Sequence, residues 1–237
     1  MLQPRVMMLS LWRNDQDRRL RERAEHLLAK TYDNLRWVWV VGDCAPEDRT
    51  FGKLWQIATV FHPTMPITFV PVETSLTLNR FERMSVSASA GLEEVGRSDD
   101  FVVIHESDIL SPYDVVERFV AHAKAGRCPI AGWPTLTFPS GYTQFYDIWG
   151  YRKAGRLFHN DPPYHSCYNP TEPFEVDSVG TVWMLPAEDI RRGVRCYQNG
   201  AVELCQKLRA NGRRIWVDPT LVVEQPYDLT PPDGVAR

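Results

Sequence analysis

Residues 101–108 read Phe-Val-Val-Ile-His-Glu-Ser-Asp, an apolar run that stops at two carboxylates, Glu106 and Asp108. Carboxylates at i and i+2 of an extended chain point to the same side. A hard divalent cation, Mn2+ or Mg2+, takes such oxygens and completes its shell with water and substrate phosphates. The chemistry suggested is a metal–diphosphate site at the end of a buried strand, with Ser107 between the two ligands. Open α/β sheets bind their ligands at the carboxyl ends of strands. A strand running into a solvated acidic loop would look the same. Upstream, Arg80 and Arg83 stand one helical turn apart on the segment that leads into this strand. Guanidinium groups suit a diphosphate, and a surface ion pair is the alternative. His105 either orients a ligand or is structural.

Such residues need a scaffold. The patterning predicts strands at 5–12, 36–41, 67–72 and 101–105. Between them it predicts helices at 15–30, capped by Asn14 or Asp15, at 47–60, and at 79–95 with small residues on one face, and a further helix follows at 112–124. This alternation predicts an α/β fold with a largely parallel sheet and right-handed crossovers. Residues 128–176 are rich in Pro, Gly, Tyr, Trp and Phe and lack helical periodicity. A stretch of that kind reads as a functional loop region, and a second small core under a long loop is the other reading. A long strand is expected at 174–185, a short helix capped by Asp189, and a helix at 199–211 closed by Gly212. Short strands at 215–218 and 220–223 precede a loose tail at 226–237.

The 237 residues suffice for one large domain. A hydrophobic share of 43% and a charged share of 24% are ordinary for a soluble globular chain. No apolar run is long enough to span a bilayer, and the first residues read as a strand rather than a signal peptide. Five scattered cysteines without a CxxC pair argue against a zinc or disulfide framework, and a cytoplasmic location is expected. A net charge of −3 exerts no global pull on nucleic acid. Local basic groups, such as Arg152 and Lys153 with Arg156, can still meet phosphates. The oligomeric state stays open.

Motifs stand in a consistent order along the chain. Ser10-Leu11-Trp12-Arg13-Asn14 follows strand one, and Val41-Gly42-Asp43-Cys44-Ala45-Pro46-Glu47-Asp48-Arg49-Thr50 follows strand two. The helix at 79–95 carries Ala90-Gly91-Leu92, and Val103-Ile104-His105-Glu106-Ser107-Asp108 comes after it. This series resembles the N-terminal half of GT-A-fold nucleotide-sugar glycosyltransferases, with Glu106 standing for the first Asp of their Asp-x-Asp motif. The resemblance implies a donor pocket of Ser10, Trp12, Arg13, Asp43, Arg80, Arg83 and Ser107. Asp43 would accept from the base, and a UDP-sugar is favoured. Many such enzymes take a third metal ligand, usually His, from the last strand. Here that region reads Leu221-Val222-Val223-Glu224-Gln225-Pro226, so Gln225, Glu224 or water stands in that place.

Phe145-Tyr146-Asp147-Ile148-Trp149-Gly150-Tyr151-Arg152 looks like an element of fungal capsule and mannan mannosyltransferases, and Phe174-Glu175-Val176-Asp177-Ser178-Val179-Gly180 looks like the strand after it. This implies a sugar and acceptor pocket of Asp147, Trp149, Tyr151 and Arg152. Glu203 matches the late acidic position of many GT-A enzymes. If the reaction inverts, Glu203 is the first candidate base and Asp177 the second; if it retains, neither need be a base. Together these likenesses imply a single GT-A domain, with a donor half at 1–110 and an acceptor half at 111–225. In size and Glu/Asp-x-Asp layout the chain is similar to phage enzymes that add sugars to hydroxymethylated DNA pyrimidines. Its 142–168 loop would then stack an extruded base and hold phosphates. A glycan or protein hydroxyl is the alternative acceptor. A nucleotidyltransferase shares the general fold, but Ser10-Leu11-Trp12-Arg13 lacks the glycines its loop needs; a non-catalytic nucleotide-sugar-binding module is the third class.

Overall fold

The computed structural model describes residues 3–12, 19–42, 49–73, 77–147, 149–158, 170–196 and 199–226. In chain order these form β1 (Val6–Trp12), α1 (Leu20–Leu28), β2 (Leu35–Gly42), α2 (Thr50–Gln56), β3 (Ile67–Val72), α3 (Arg80–Glu93), β4 (Phe101–Glu106) and α4 (Val115–Lys124). The second half holds β5 (Ile130–Thr137), β6 (Thr143–Phe145), β7 (Arg152–Lys153), β8 (Arg156–Leu157), β9 (Phe174–Val176), β10 (Val182–Pro186), α5 (Ala187–Arg191), α6 (Gly200–Ala210) and β11 (Ile215–Pro226). A π-helical turn, Ile57–Phe61, extends α2.

The main sheet runs β3-β2-β1-β4-β10-β5-β11-β9, with β6 paired to β5. β3, β2, β1, β4, β5 and β11 share one direction, and β10 runs antiparallel between β4 and β5. Two apolar layers cover its faces. Val6, Met8, Trp39 and Val103 pack under α1, α2 and α4 through Leu27, Leu54 and Phe119. Met7, Leu9, Val40 and Ile104 pack under α3 and α6 through Ala88, Leu92 and Leu204. Residues alternate between these layers along each strand because successive side chains of an extended chain point to opposite faces.

The first half follows the expected order of elements. α3 has its start written locally: Asn79 Oδ1 accepts from Phe81 N and Glu82 N, and Glu82 reaches back to Asn79 N at 2.7 Å, a capping box. Small residues then let the helix lie close on the sheet. A Cβ on Gly91 would stand 2.4 Å from Leu9 Cδ1 and 2.6 Å from Val40 Cγ2. The described part of α1 begins only at Leu20, and the expected caps Asn14 and Asp15 lie outside the described residues.

The second half corrects several expectations. β5 and β6 form within the stretch read as loop. Gly132 and Pro134 hid β5, yet Gly132 is required there, because a Cβ would stand 2.7 Å from Leu221 Cδ2. The aromatic residues of the stretch mostly extend the core layer under α3 and α6: Trp133 stands 4.6 Å from Phe145, Phe145 5.4 Å from Phe158, and Phe158 5.7 Å from Phe174 between ring centroids. The long strand expected at 174–185 is two strands far apart in the sheet, β9 beside β11 and β10 between β4 and β5. The two short strands at the end are one, β11, with a shift in register between Val217 and Val222 that absorbs Pro219. Asp189 does not cap α5; it is buried in the first turn and pairs with Arg213 at 2.9 Å.

Gly91→Ala should lower the unfolding free energy by about 1–3 kcal/mol, the usual cost of overpacking. Gly52→Ala, on α2 with nothing within 4 Å of an added Cβ, should raise it by roughly 0.5–1 kcal/mol through helix propensity. Urea denaturation of both variants checks the contrast, and a stabilised Gly91→Ala would contradict the close approach of α3 to the sheet.

Candidate functional site

β4 ends at Glu106, and Ser107 and Asp108 form a tight turn. Ile109 N donates to Glu106 O at 3.2 Å and closes it. The two carboxylates therefore sit on a turn rather than on the extended chain the spacing suggests, and both residues are partly exposed. Glu106 N donates to Thr181 O at 3.2 Å, which ties the turn to the start of β10. The other side is held by the last strand. Leu110 N donates to Glu224 O and Glu224 N to Leu110 O, each at 2.7 Å. This antiparallel bridge sets Gln225, the next residue of β11, alongside the turn.

Behind the turn lies a buried polar cluster. His105 is fully buried. Its Nδ1 stands 2.8 Å from Glu106 O, and a carbonyl only accepts, so Nδ1 carries the proton. Nε2 then accepts from Ser111 Oγ at 2.8 Å. Burial pushes this imidazole down to about 3. His105 thus points away from the carboxylates and holds their turn from beneath. Lys30 Nζ donates to Ser111 O at 2.9 Å and lies 3.1 Å from His26 Nε2. Burial pushes the Lys30 ammonium down to about 7, against the opposing fields of Asp114 and Glu117. The i, i+4 spacing of His26 in the last turn of α1 and Lys30 just beyond its C-terminus was the one sequence signal for this cluster.

On the other face a short loop is fixed beside the turn. Asp147 Oδ1 accepts from Trp149 N at 2.9 Å and from Gly150 N at 2.6 Å. Its Oδ2 would lie 2.6 Å from a Cβ on Gly180, so only glycine fits there. Ser178 Oγ donates to Gly150 O at 2.6 Å. Thr181 has φ 59°, a left-handed backbone that a β-branched residue rarely adopts. Trp149 meets Phe81, in the first turn of α3, with ring centroids 5.5 Å apart. Ser85 on α3 accepts from Gly200 N at 2.8 Å, which docks the first turn of α6, and with it Glu203, against α3.

The structure brings together the regions of Glu106, Ser107, Asp108, Gln225, Asp147, Trp149 and the start of α3, where Arg80 and Arg83 lie. Other expected site residues are placed elsewhere. Tyr151 is fully buried, with its hydroxyl donating to Gly132 O, so it belongs to the core and not to a cleft wall. Ser10 and Trp12 are buried on the face under α1, with Trp12 5.3 Å from Trp39, so neither lines an open pocket. Asp147, although in the assembled region, is buried and turned to the Trp149 and Gly150 amides. Asp177 pairs with Arg209 at 3.0 Å and accepts from Gly155 N at 2.7 Å. Arg152 is partly exposed in β7 and bridges to Ser178. Glu203 pairs with Lys207 at 2.8 Å on the same helix. Arg13 and Asp43 lie outside the described residues. Thr181, Phe81 and Ser111 were missed, because each acts through contacts between segments far apart in sequence.

Among the described residues no group of three His, Cys, Asp or Glu side chains forms a metal centre. The carboxylates of Glu106 and Asp108 are nonetheless hard oxygen groups, of the kind that holds Mn2+ or Mg2+ together with diphosphate oxygens and water.

No family model and no curated protein matches the chain. Solved structures do. A structure of GalNAc-T7 with UDP, GalNAc and Mn2+ aligns over 98% of this chain and 46% of that chain, with a TM-score of 0.63 at 12% identity. Staphylococcus aureus TarS, residues 1–349 in complex with UDP-GlcNAc, aligns over 98% of this chain and 61% of that one, with a TM-score of 0.61 at 11% identity. A further S. aureus TarS structure gives a TM-score of 0.60 over 94% and 37% at 11% identity. The chain thus spans between 37% and 61% of the length of these proteins. At such identities the likeness establishes architecture: the chain has the GT-A glycosyltransferase fold, a large mostly parallel sheet flanked by helices.

The buried Lys30 gives the site region a pH signature. Its folded value near 7 lies below its ordinary 10.5. Unfolding therefore takes up a proton between those values, and stability rises with pH across that window by at most about 1.4 kcal/mol per unit. Below pH 7 the whole penalty is present. The stability of the wild type relative to Lys30→Met should climb between pH 7 and 9.5 in urea titrations; a flat difference would mean that Lys30 keeps its proton on folding.

Proposed function

We propose that the chain is a metal-dependent glycosyltransferase that moves a hexose from a nucleoside-diphosphate sugar, with UDP-sugars favoured, to a hydroxyl acceptor. The observation that carries this reading is the Glu106–Asp108 turn. It is fixed on three sides, by Thr181, by the Leu110–Glu224 bridge and by His105. It stands where parallel β4 meets reversed β10, the kind of position at which open α/β sheets take ligands. The fold shared with structures holding UDP, Mn2+ and UDP-GlcNAc supports it.

In this reading Glu106 and Asp108 hold the cation, with Gln225 as the third protein oxygen. When bound, Mn2+ or Mg2+ neutralises charge on the departing nucleoside diphosphate. Arg80 and Arg83, at the N-terminal turn of α3, take the diphosphate. Asp43 accepts from the base. Glu203 receives the acceptor proton if the sugar inverts. Its carboxylate pairs with Lys207 at 2.8 Å and accepts from Asn199 N at 3.4 Å. Asp177, paired with Arg209 and accepting from Gly155 N, is the second candidate.

The leading acceptor is a 5-hydroxymethylated pyrimidine in DNA, and a glycan or protein hydroxyl is the alternative. An exposed aromatic residue beside basic ones in sequence, Trp149-Gly150-Tyr151-Arg152-Lys153, favours the first.

Release of nucleoside diphosphate from a panel of nucleotide sugars, with Mn2+, with Mg2+ and with EDTA, tests the proposal. A metal-dependent signal is expected, and Glu106→Ala combined with Asp108→Ala should reduce it at least a hundredfold, on the scale of roughly 10²–10³ for losing one preorganised electrostatic contact. Release that persists in EDTA, or in the double variant, refutes the metal clamp.

A further inference from the structure

Trp149 has 58% of its surface exposed and Phe81 39%, although both rings are large and apolar. They come from segments far apart in the chain, Trp149 beside Gly150 and Phe81 in the first turn of α3, and meet at 62° with centroids 5.5 Å apart. An edge-to-face contact uses one face of one ring, so open ring surface remains for a ligand. Hydrogen bonds hold the backbone at Trp149. Asp147 takes its N–H and that of Gly150, while Gly150 and Gly180 pack with their Cα atoms close enough that an added Cβ on Gly150 would stand 3.0 Å from Gly180. An exposed aromatic ring on a fixed backbone loses little freedom when it binds, which is what a recognition surface needs. Gly180 precedes Thr181, whose carbonyl holds Glu106 N. The ring pair is thereby tied to the carboxylate turn through a few residues.

The chain running on from Trp149 adds charge. Arg152 and Lys153 of β7 and Arg156 of β8 follow within one small hairpin that carries no acidic residue. The nearby Asp177 and Glu175 are paired with Arg209 and Arg214. An exposed aromatic ring followed within seven residues by three cations suits a nucleobase carried on a phosphate backbone, since any base offers a face to stack and a phosphate to neutralise, although Lys153 lies over the Phe174 ring.

Building on the glycosyltransferase reading, we propose that Trp149, backed by Phe81, is the platform on which the acceptor nucleobase stacks, and that Asp147 is the positioning residue that sets the platform. Asp147 touches no substrate; it acts through the Trp149 and Gly150 amides.

The test uses the full chain, a UDP-hexose with Mn2+, and a fluorescent oligonucleotide carrying one 5-hydroxymethylated pyrimidine. Release of UDP without acceptor, transfer to the oligonucleotide, and oligonucleotide binding by anisotropy are read separately. Trp149→Ala should raise the acceptor KM and Kd roughly ten- to hundredfold; Trp149→Phe should recover most of the loss. Phe81→Ala should show a smaller effect of the same kind. Asp147→Ala should copy Trp149→Ala, and Asp147→Asn, which keeps an acceptor for both amides, should rescue it. If Trp149→Ala binds and modifies the oligonucleotide as the wild type does, the platform is wrong while the glycosyltransferase reading stands. Transfer to a pyranoside acceptor and not to the oligonucleotide overturns the nucleobase assignment. If the wild type releases no nucleoside diphosphate from any donor, the glycosyltransferase reading itself falls and the platform with it.

Discussion

A strand that runs against its neighbours must be entered from the opposite end, and β10 imposes that condition on this fold. It lies between β4 and β5 and pairs with both in antiparallel register. The chain leaving β9 therefore has to cross toward the carboxyl end of β4 before β10 can begin. That crossing, residues 177–181, does most of the building at the site. Ser178 holds Gly150, Gly180 admits Asp147, and Thr181 supplies the carbonyl for Glu106. The reversal is completed at Thr181 in a left-handed conformation, which costs a non-glycine residue on the order of 1–2 kcal/mol. Strain of this size persists where surrounding contacts over-determine the backbone, and it collects at functional sites.

The first half of the chain was readable because its signals are local. β1, β2, β3 and β4 are compact apolar runs, and α3 announces its start with Asn79 and Glu82. Each element could be placed from a window of its own residues. The second half depends on contacts between segments distant in sequence. β5 contains a glycine and a proline that argue against a strand locally, yet Leu221 and Val223 of β11 press on Gly132 and make the strand possible. Residues 174–185 look continuous because both ends are apolar; only the sheet order reveals that they belong to different places. The aromatic composition of 128–176 was equally compatible with a core and with a binding surface. Trp133, Phe145, Tyr151 and Phe158 went to the core, and Trp149 stayed outside. Burial of that kind is decided by packing partners that no local pattern identifies.

The same distinction divides the candidate site. Glu106 and Asp108 were legible as a pair, though the extended geometry assumed for them gave way to a turn. The sequence could not show what holds the turn. His105, Ser111, His26 and Lys30 form a polar layer beneath it, from two segments separated by most of the first half of the chain. A buried lysine there is costly unless its hydrogen bonds are kept. The cluster thus acts as a rigid footing for a loop whose upper surface carries the carboxylates, much as outer groups orient the ligands of metal sites.

The pair of hydrogen bonds between Leu110 and Glu224 has a consequence for how the protein assembles. One partner belongs to the loop after β4 and the other to the last described strand, so this contact has a very high sequence separation and is slow to form for that reason. The early βαβ units can pack while the carboxylate turn still lacks one of its walls. The surroundings of the turn are therefore complete only once β11 has docked, and a chain folded only as far as α4 would lack that wall. The coupling also runs in reverse. A ligand that draws Gln225 and the turn together would hold the end of β11 in place, so the last strand to arrive becomes the one most protected against fraying by occupancy of the site.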